Sequence, residues 1–131
     1  MNFPDNLRYT KDHEWIKAES DDVWVVGITD FAQRELGDIV YVEIETVGET
    51  LEVGEVFGTV EAVKTVSELF MPVSGTIDSL NEGLEDAPES LNSAPYEEGW
   101  LVKIKPSNPE DWKDLLEVAA YKEHIGQEEE K

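Results

Sequence analysis

The sequence predicts a mainly β protein with two short helices. Three observations carry that expectation. Short runs of β-branched and aromatic residues recur between glycines and prolines, as strands joined by turns do. Asp38 to Glu45 alternates, with Ile39, Tyr41, Glu43 and Glu45 on one parity and Val40, Val42 and Ile44 on the other. Helical spacing marks two stretches, near residues 30–36 and 109–119. A chain of 131 residues suits one domain with one core. That domain is expected over residues 1–125, with an acidic, disordered tail at 126–131.

Residues 1–6 read as a loose lead-in, and Arg8-Tyr9-Thr10 as a short strand. His13 to Ala18 and Val23 to Ile28 form a hairpin whose turn is Ser20-Asp21-Asp22. Trp15, Trp24 and Val26 are core candidates, and His13 beside them has a structural rather than a catalytic part. Thr29 to Gly37 reads as a helix capped by Asp30, with Gln33 completing a capping box and Gly37 ending it. In the strand that follows, Val40, Val42 and Ile44 are expected to face inward.

Gly48 and Gly54 then separate short apolar strands and lead into a hairpin with Lys64 at its tip. Val56, Gly58, Val60 and Ala62 share one parity on the outgoing strand, and Val66 to Met71 return. Gly75 to Leu80 is another strand, Ala87 to Leu91 a single helical turn opened by Pro88, and Gly99 to Lys105 the last strand. Ser107-Asn108-Pro109-Glu110 starts a helix, with a capping side chain, an early proline and acids at the positive end of the dipole. Trp112, Leu115, Leu116 and Ala119 give it an apolar face for packing on the sheet, and Tyr121 to Ile125 adds one more turn.

Composition excludes several functions. The net charge of −21 opposes binding to a phosphate backbone or an anionic membrane surface. It favours protein partners with basic docking patches. Without cysteine there is no thiolate nucleophile, thiolate metal site or disulfide, so redox chemistry must come from an attached group. His13 and His124 are the only imidazoles, too few and too far apart in sequence for a histidine metal site or a triad. No window has the apolar length of a membrane span, and the N-terminus lacks the basic and apolar regions of a secretory signal. The chain is therefore expected in the bacterial cytoplasm, or in the mitochondrial matrix if it is a processed form.

Lys64 stands apart. Between Glu35 and Val102 it is the only Lys or Arg, against sixteen Asp and Glu. With Glu61 and Glu68 as neighbours it is a poor Schiff-base nucleophile. A lysine that another enzyme acylates needs exposure, a fixed position and an unbranched stem, and a hairpin tip provides all three. The bland reading is a solvated turn lysine, which the isolation of Lys64 disfavours.

Gly58-Thr59-Val60-Glu61-Ala62-Val63-Lys64, followed by Pro72-Val73-Ser74-Gly75, resembles the lysine hairpin of lipoyl and biotinyl carrier domains, and more narrowly that of the H proteins of the glycine cleavage system. Ala62 replaces the Ser of the family's Glu-Ser-Val-Lys pattern, and Val63 and Thr65 stand where biotin carriers prefer Met. Tyr9-Thr10, His13-Glu14-Trp15, Gly27-Ile28-Thr29-Asp30, Leu36-Gly37-Asp38, Asn92, Pro95-Tyr96 and Gly99-Trp100 extend the likeness over about residues 7–125.

The resemblance implies a lipoyl/biotinyl-type β-sandwich, a barrel-sandwich hybrid, and a covalently modified carrier that is not itself an enzyme. It implies lipoic acid in amide linkage on Lys64 as N6-lipoyl-lysine. The arm would take methylamine from a pyridoxal-phosphate glycine decarboxylase, the P protein. It would deliver it to an aminomethyltransferase, the T protein, and be reoxidised by dihydrolipoamide dehydrogenase, the L protein. Lipoyl-attaching enzymes are further partners, and a monomer is the expected state because several enzymes must reach one arm. The family's groove for the loaded arm aligns with Asp12, Glu14 and Glu68, whose oxygens suit an ammonium. Some members have His at the position of Glu35, and no role for that His carries over. A second reading keeps Lys64 but makes the chain an H-like relay that passes lipoyl groups to other complexes. A third, an unmodified acidic interaction module, leaves the lone lysine without a purpose.

Overall fold

In the computed structural model, which describes residues 3–129, the chain forms two antiparallel sheets. The strands are β1 (Arg8–Tyr9), β2 (Glu14–Ala18), β3 (Trp24–Ile28), β4 (Ile39–Glu43), β5 (Thr50–Leu51), β6 (Val56–Ala62), β7 (Val66–Phe70), β8 (Gly75–Leu80) and β9 (Val102–Pro106). The larger sheet runs β1-β2-β3-β9-β8-β5 and the smaller β4-β6-β7. Ile16, Val26, Ile77, Val102 and Ile104 of the first sheet meet Ile39, Val60, Ala62 and Leu69 of the second in one buried core. The mainly β expectation is met, and Trp15, Trp24 and Val26 are buried. Trp15 lies so close over Gly27 that a Cβ there would sit 2.5 Å from its indole ring.

Helix α1 spans Asp30–Leu36, as the sequence predicts, but its cap is Thr29, whose hydroxyl accepts the Ala32 N–H. Asp30 instead accepts from the Gln33 side-chain amide at 2.6 Å. Thr29 wins because it is the residue still in extended conformation, at ψ 165°.

The inward set of β4 also differs. Ile39 is buried, Val42 and Ile44 are partly buried, and Val40 is 47% exposed. The register of β4 against β6 shifts between Ile39 and Tyr41, and such a bulge switches which parity faces the core. A second shift between Val56 and Gly58 likewise turns Phe57 inward while Val56 is exposed.

Two single-turn helices follow β8: α2 (Gly83–Asp86), which the sequence pattern did not reveal, and α3 (Ser90–Ser93), which begins after Pro88 rather than at it.

The helix expected over 109–119 is two elements. A 3-10 helix covers Pro109–Asp114, capped by the Asn108 side chain, and α4 covers Val118–Glu129. Between them Leu116 leaves the helical path to exchange two 2.8 Å backbone hydrogen bonds with Tyr9. The Arg8 guanidinium reaches the carbonyls of Trp112 and Leu115.

α4 closes a second cluster, where Tyr121 stacks on Tyr9 beside Leu7, Trp15, Phe31 and Ile125. Helix also replaces disorder over residues 126–129 of the expected tail; glutamate is a good helix former, and α4 is already under way. The last two tail positions, 130 and 131, lie outside the described residues.

Candidate functional site

Lys64 sits in the turn that joins β6 to β7. β-branched residues hold both strands extended, and Ala62 N–H donates to Thr65 O at 2.7 Å to close the turn. The lysine is exposed, flanked by Val63 and Val66, which are 75% and 59% exposed. Among the described residues it makes no ion pair. The tip is nonetheless fixed. Val63 N–H donates to Asp38 O at 2.9 Å, and Ala62 pairs with Ile39. The lysine stem lies over Gly37, where a Cβ would come within 3.4 Å of Lys64 Cε. Gly37 has φ 79°, a left-handed conformation that glycine adopts without strain.

The turn under the tip is itself held from behind. The Asn92 side chain accepts the Ile39 N–H at 3.0 Å and donates to Gly37 O at 2.8 Å and to Gln33 Oε1 at 3.0 Å. The sequence marks Asn92 only as a point of resemblance, and Gly37 as that and as the end of the helix. A buried-side polar residue that follows Leu91 in a helical turn was the available signal, but its partners are remote in the chain.

The three carboxylates named from the sequence are placed unequally. Asp12 and Glu68 are exposed. Glu14, the third acid that the resemblance aligned with the groove, is 2% exposed. Its Oε2 accepts the Phe70 N–H at 3.0 Å, and its Oε1 accepts from the Thr10 hydroxyl at 3.4 Å. Burial raises its carboxyl well above the usual glutamate range; the Phe70 N–H opposes the rise, and the charge of Asp12 adds to it. Glu14 thus joins β2 of one sheet to β7 of the other, with Asp12 beside it and Glu68 two residues before Phe70 on β7. The Lys64 stem rests on Gly37, and among the described residues the lysine forms no ion pair with any of the three.

His13, at φ 68°, bonds through Nδ1 to Tyr121 Oη at 2.9 Å and packs on Phe31, which fits the structural part expected of it. A recess of about 510 Å³ lies elsewhere, lined by Asn6, Lys17, Asp30, Asn92, Tyr96 and Glu97 among others.

The family model described as Glycine cleavage H-protein matches residues 7–128. The Glycine cleavage system H protein of Bacteroides thetaiotaomicron is 59% identical over 122 residues, 93% of this chain and 96% of that one. The protein of the same name from Chlorobium limicola is 59% identical over 128 residues, 97% of this chain and all of its own. A crystal structure of a glycine cleavage system H protein from Mycobacterium marinum superposes with a TM-score of 0.86 at 40% identity, covering 95% of this chain and 99% of that one.

Proposed function

Because this chain belongs to the glycine cleavage H-protein family, we propose that Lys64 is its lipoyl-bearing residue. The protein is a lipoyl carrier of glycine cleavage and not a catalyst. The observation that carries the assignment to Lys64 is its setting, an exposed amine on a stiff hairpin with no acid paired to it among the described residues. These residues suit an amide-linked arm. The amine is accessible to an activated acyl donor, and the exposed Val63 and Val66 give a modifying enzyme apolar contact beside it. Acylation forms one N–C bond at Nζ, releases the amine's proton, and sends the leaving group away with its electron pair; the attaching enzyme supplies the activation.

When bound, the dithiolane supplies the redox chemistry and the attachment point for the aminomethyl group, which a chain without cysteine lacks. The residues of this chain do the rest. The Lys64 stem sets reach, Gly37 seats it, and the two-strand hairpin keeps the surrounding surface constant while different enzymes engage it. We assign Asp12 and Glu68 as the exposed acids that would hold the ammonium of a loaded arm, with Glu14 beneath them. Apposed carboxylates bind a cation more strongly than water does when solvent is excluded.

The family name implies work with the other components of glycine cleavage. The finer reading names the P, T and L proteins and the lipoyl-attaching enzymes as partners of a monomeric carrier domain spanning residues 1–125. The relatives are bacterial, and no helix among the described residues is long and apolar enough to cross a membrane. We place the carrier in the bacterial cytoplasm. Intact mass of protein from its native source tests the reading. A lipoyl adduct that disappears in Lys64→Arg is expected; biotin, or no adduct, would overturn it.

A further inference from the structure

The side chain of Asn92 carries an inference about how the lysine is presented. Primary amides offer one acceptor oxygen and two N–H donors. Asn92 uses both kinds on the same short turn. Its Oδ1 takes the Ile39 N–H at 3.0 Å, and its Nδ2 gives to Gly37 O at 2.8 Å and to Gln33 Oε1 at 3.0 Å. The backbone from Gly37 to Ile39 is therefore gripped at both ends, and the last turn of α1 is tied to it through Gln33. Beyond the hairpin's own pairing, the contacts that fix the tip described above pass through that segment. Asp38 O holds Val63 N–H, Ile39 pairs with Ala62, and Gly37 lies under the lysine stem.

We propose that Asn92 is a positioning residue for acylation of Lys64, acting through the Gly37–Ile39 turn that it clamps. The inference rests on Lys64 being the attachment site, as argued above. Asn92 touches neither the lysine nor an incoming acyl group. It narrows the set of directions in which the Lys64 amine is offered to the attaching enzyme. Loosening the turn leaves the amine intact but reduces the fraction of molecules that present it productively. A reduced competent fraction weakens apparent binding in proportion and leaves the step after binding alone. The expected signature is a raised KM for the carrier with an unchanged kcat. Simple loss of fold would instead lower the concentration of usable substrate for any destabilising variant.

The experiment uses the full chain in its unmodified form, with a lipoate-attaching enzyme, lipoate and ATP, and follows acylation of Lys64 by intact mass. Asn92→Asp keeps the acceptor for Ile39 N–H but turns an oxygen towards Gly37 O and Gln33 Oε1; Asn92→Ala removes all three bonds. Trp24→Phe, in the core and away from the turn, is the stability control. Expected are a KM raised about tenfold in both Asn92 variants, a kcat within twofold, and faster hydrogen exchange at the Val63 amide than in Trp24→Phe. Should one Asn92 variant not fold, the other carries the comparison. Equal KM in wild type and the folded Asn92 variants, or an equal rise in Trp24→Phe, would overturn the positioning role. Absence of acylation in the wild type would instead overturn the assignment of Lys64, so the two failures are distinguishable.

Discussion

The Glu14 carboxyl accepts the backbone N–H of Phe70 at 3.0 Å, a single side chain that ties the edge of the smaller sheet to the larger one. An edge strand leaves its outward N–H groups without ladder partners, and a buried one needs a substitute. Glu14→Ala removes the acceptor and leaves the Phe70 N–H without it. The expected loss is about 1–3 kcal/mol of unfolding free energy, read from urea titration. Glu14→Gln keeps an acceptor oxygen and should lose less.

That carboxyl also sets a pH dependence. Burial lifts it above its ordinary 4.5, so the folded protein holds the proton more tightly than the unfolded chain. For a raised group the stabilising contribution is complete below the unfolded value and is lost as pH climbs towards the folded one. The stability of the wild type relative to Glu14→Gln should therefore fall as pH rises above the ordinary 4.5. Urea midpoints of the two proteins across that range check it; a constant difference would refute it.

Gly27→Ala should be among the most damaging small substitutions. The added methyl would meet the Trp15 ring at 2.5 Å, and Trp15 is held in place by its own hydrogen bond to Pro95 O. Neither partner can move freely, so overpacking should cost about 1–3 kcal/mol in the same titration.

Tyr121→Phe removes the hydroxyl that bonds to Thr29 Oγ1 at 2.7 Å and to His13 Nδ1 at 2.9 Å. The stacking on Tyr9 is kept, so the loss isolates the polar contacts. About 1–2 kcal/mol is expected, with faster amide exchange across α4 than in wild type.

Lys64→Arg should abolish acylation without changing stability by more than about 0.5 kcal/mol, since the side chain is exposed. Thermal unfolding together with intact mass checks both halves. With a net charge of −21, association of the wild type with basic-faced partners should also slow about tenfold between low and physiological salt, in stopped-flow measurements.

What the sequence disclosed followed from how local each signal was. The Lys64 hairpin and the extent of α1 were legible because β-branched runs and glycines act within a few positions, although the cap is Thr29 and not the Asp30 expected. The break in the C-terminal helix was not, because Leu116 is drawn out by Tyr9 from the other end of the chain. The inward parity of β4 departs from its alternation at a bulge that nothing in the residues from Asp38 to Glu45 announces. At the site, isolation among acids singled out Lys64. The burial of Glu14 and the grip of Asn92 escaped notice because both depend on backbone groups brought near only by the folded topology.

The pairing of Tyr9 with Leu116 has a consequence for synthesis. The strand β1 emerges from the ribosome well before the residue that completes it, which lies far downstream in the chain. Until then Tyr9 has neither its backbone partner nor the Tyr121 ring that covers it. A nascent chain arrested short of residue 116 should stay open along β1 and be cut there by protease, and the site should become resistant once α4 clears the exit tunnel.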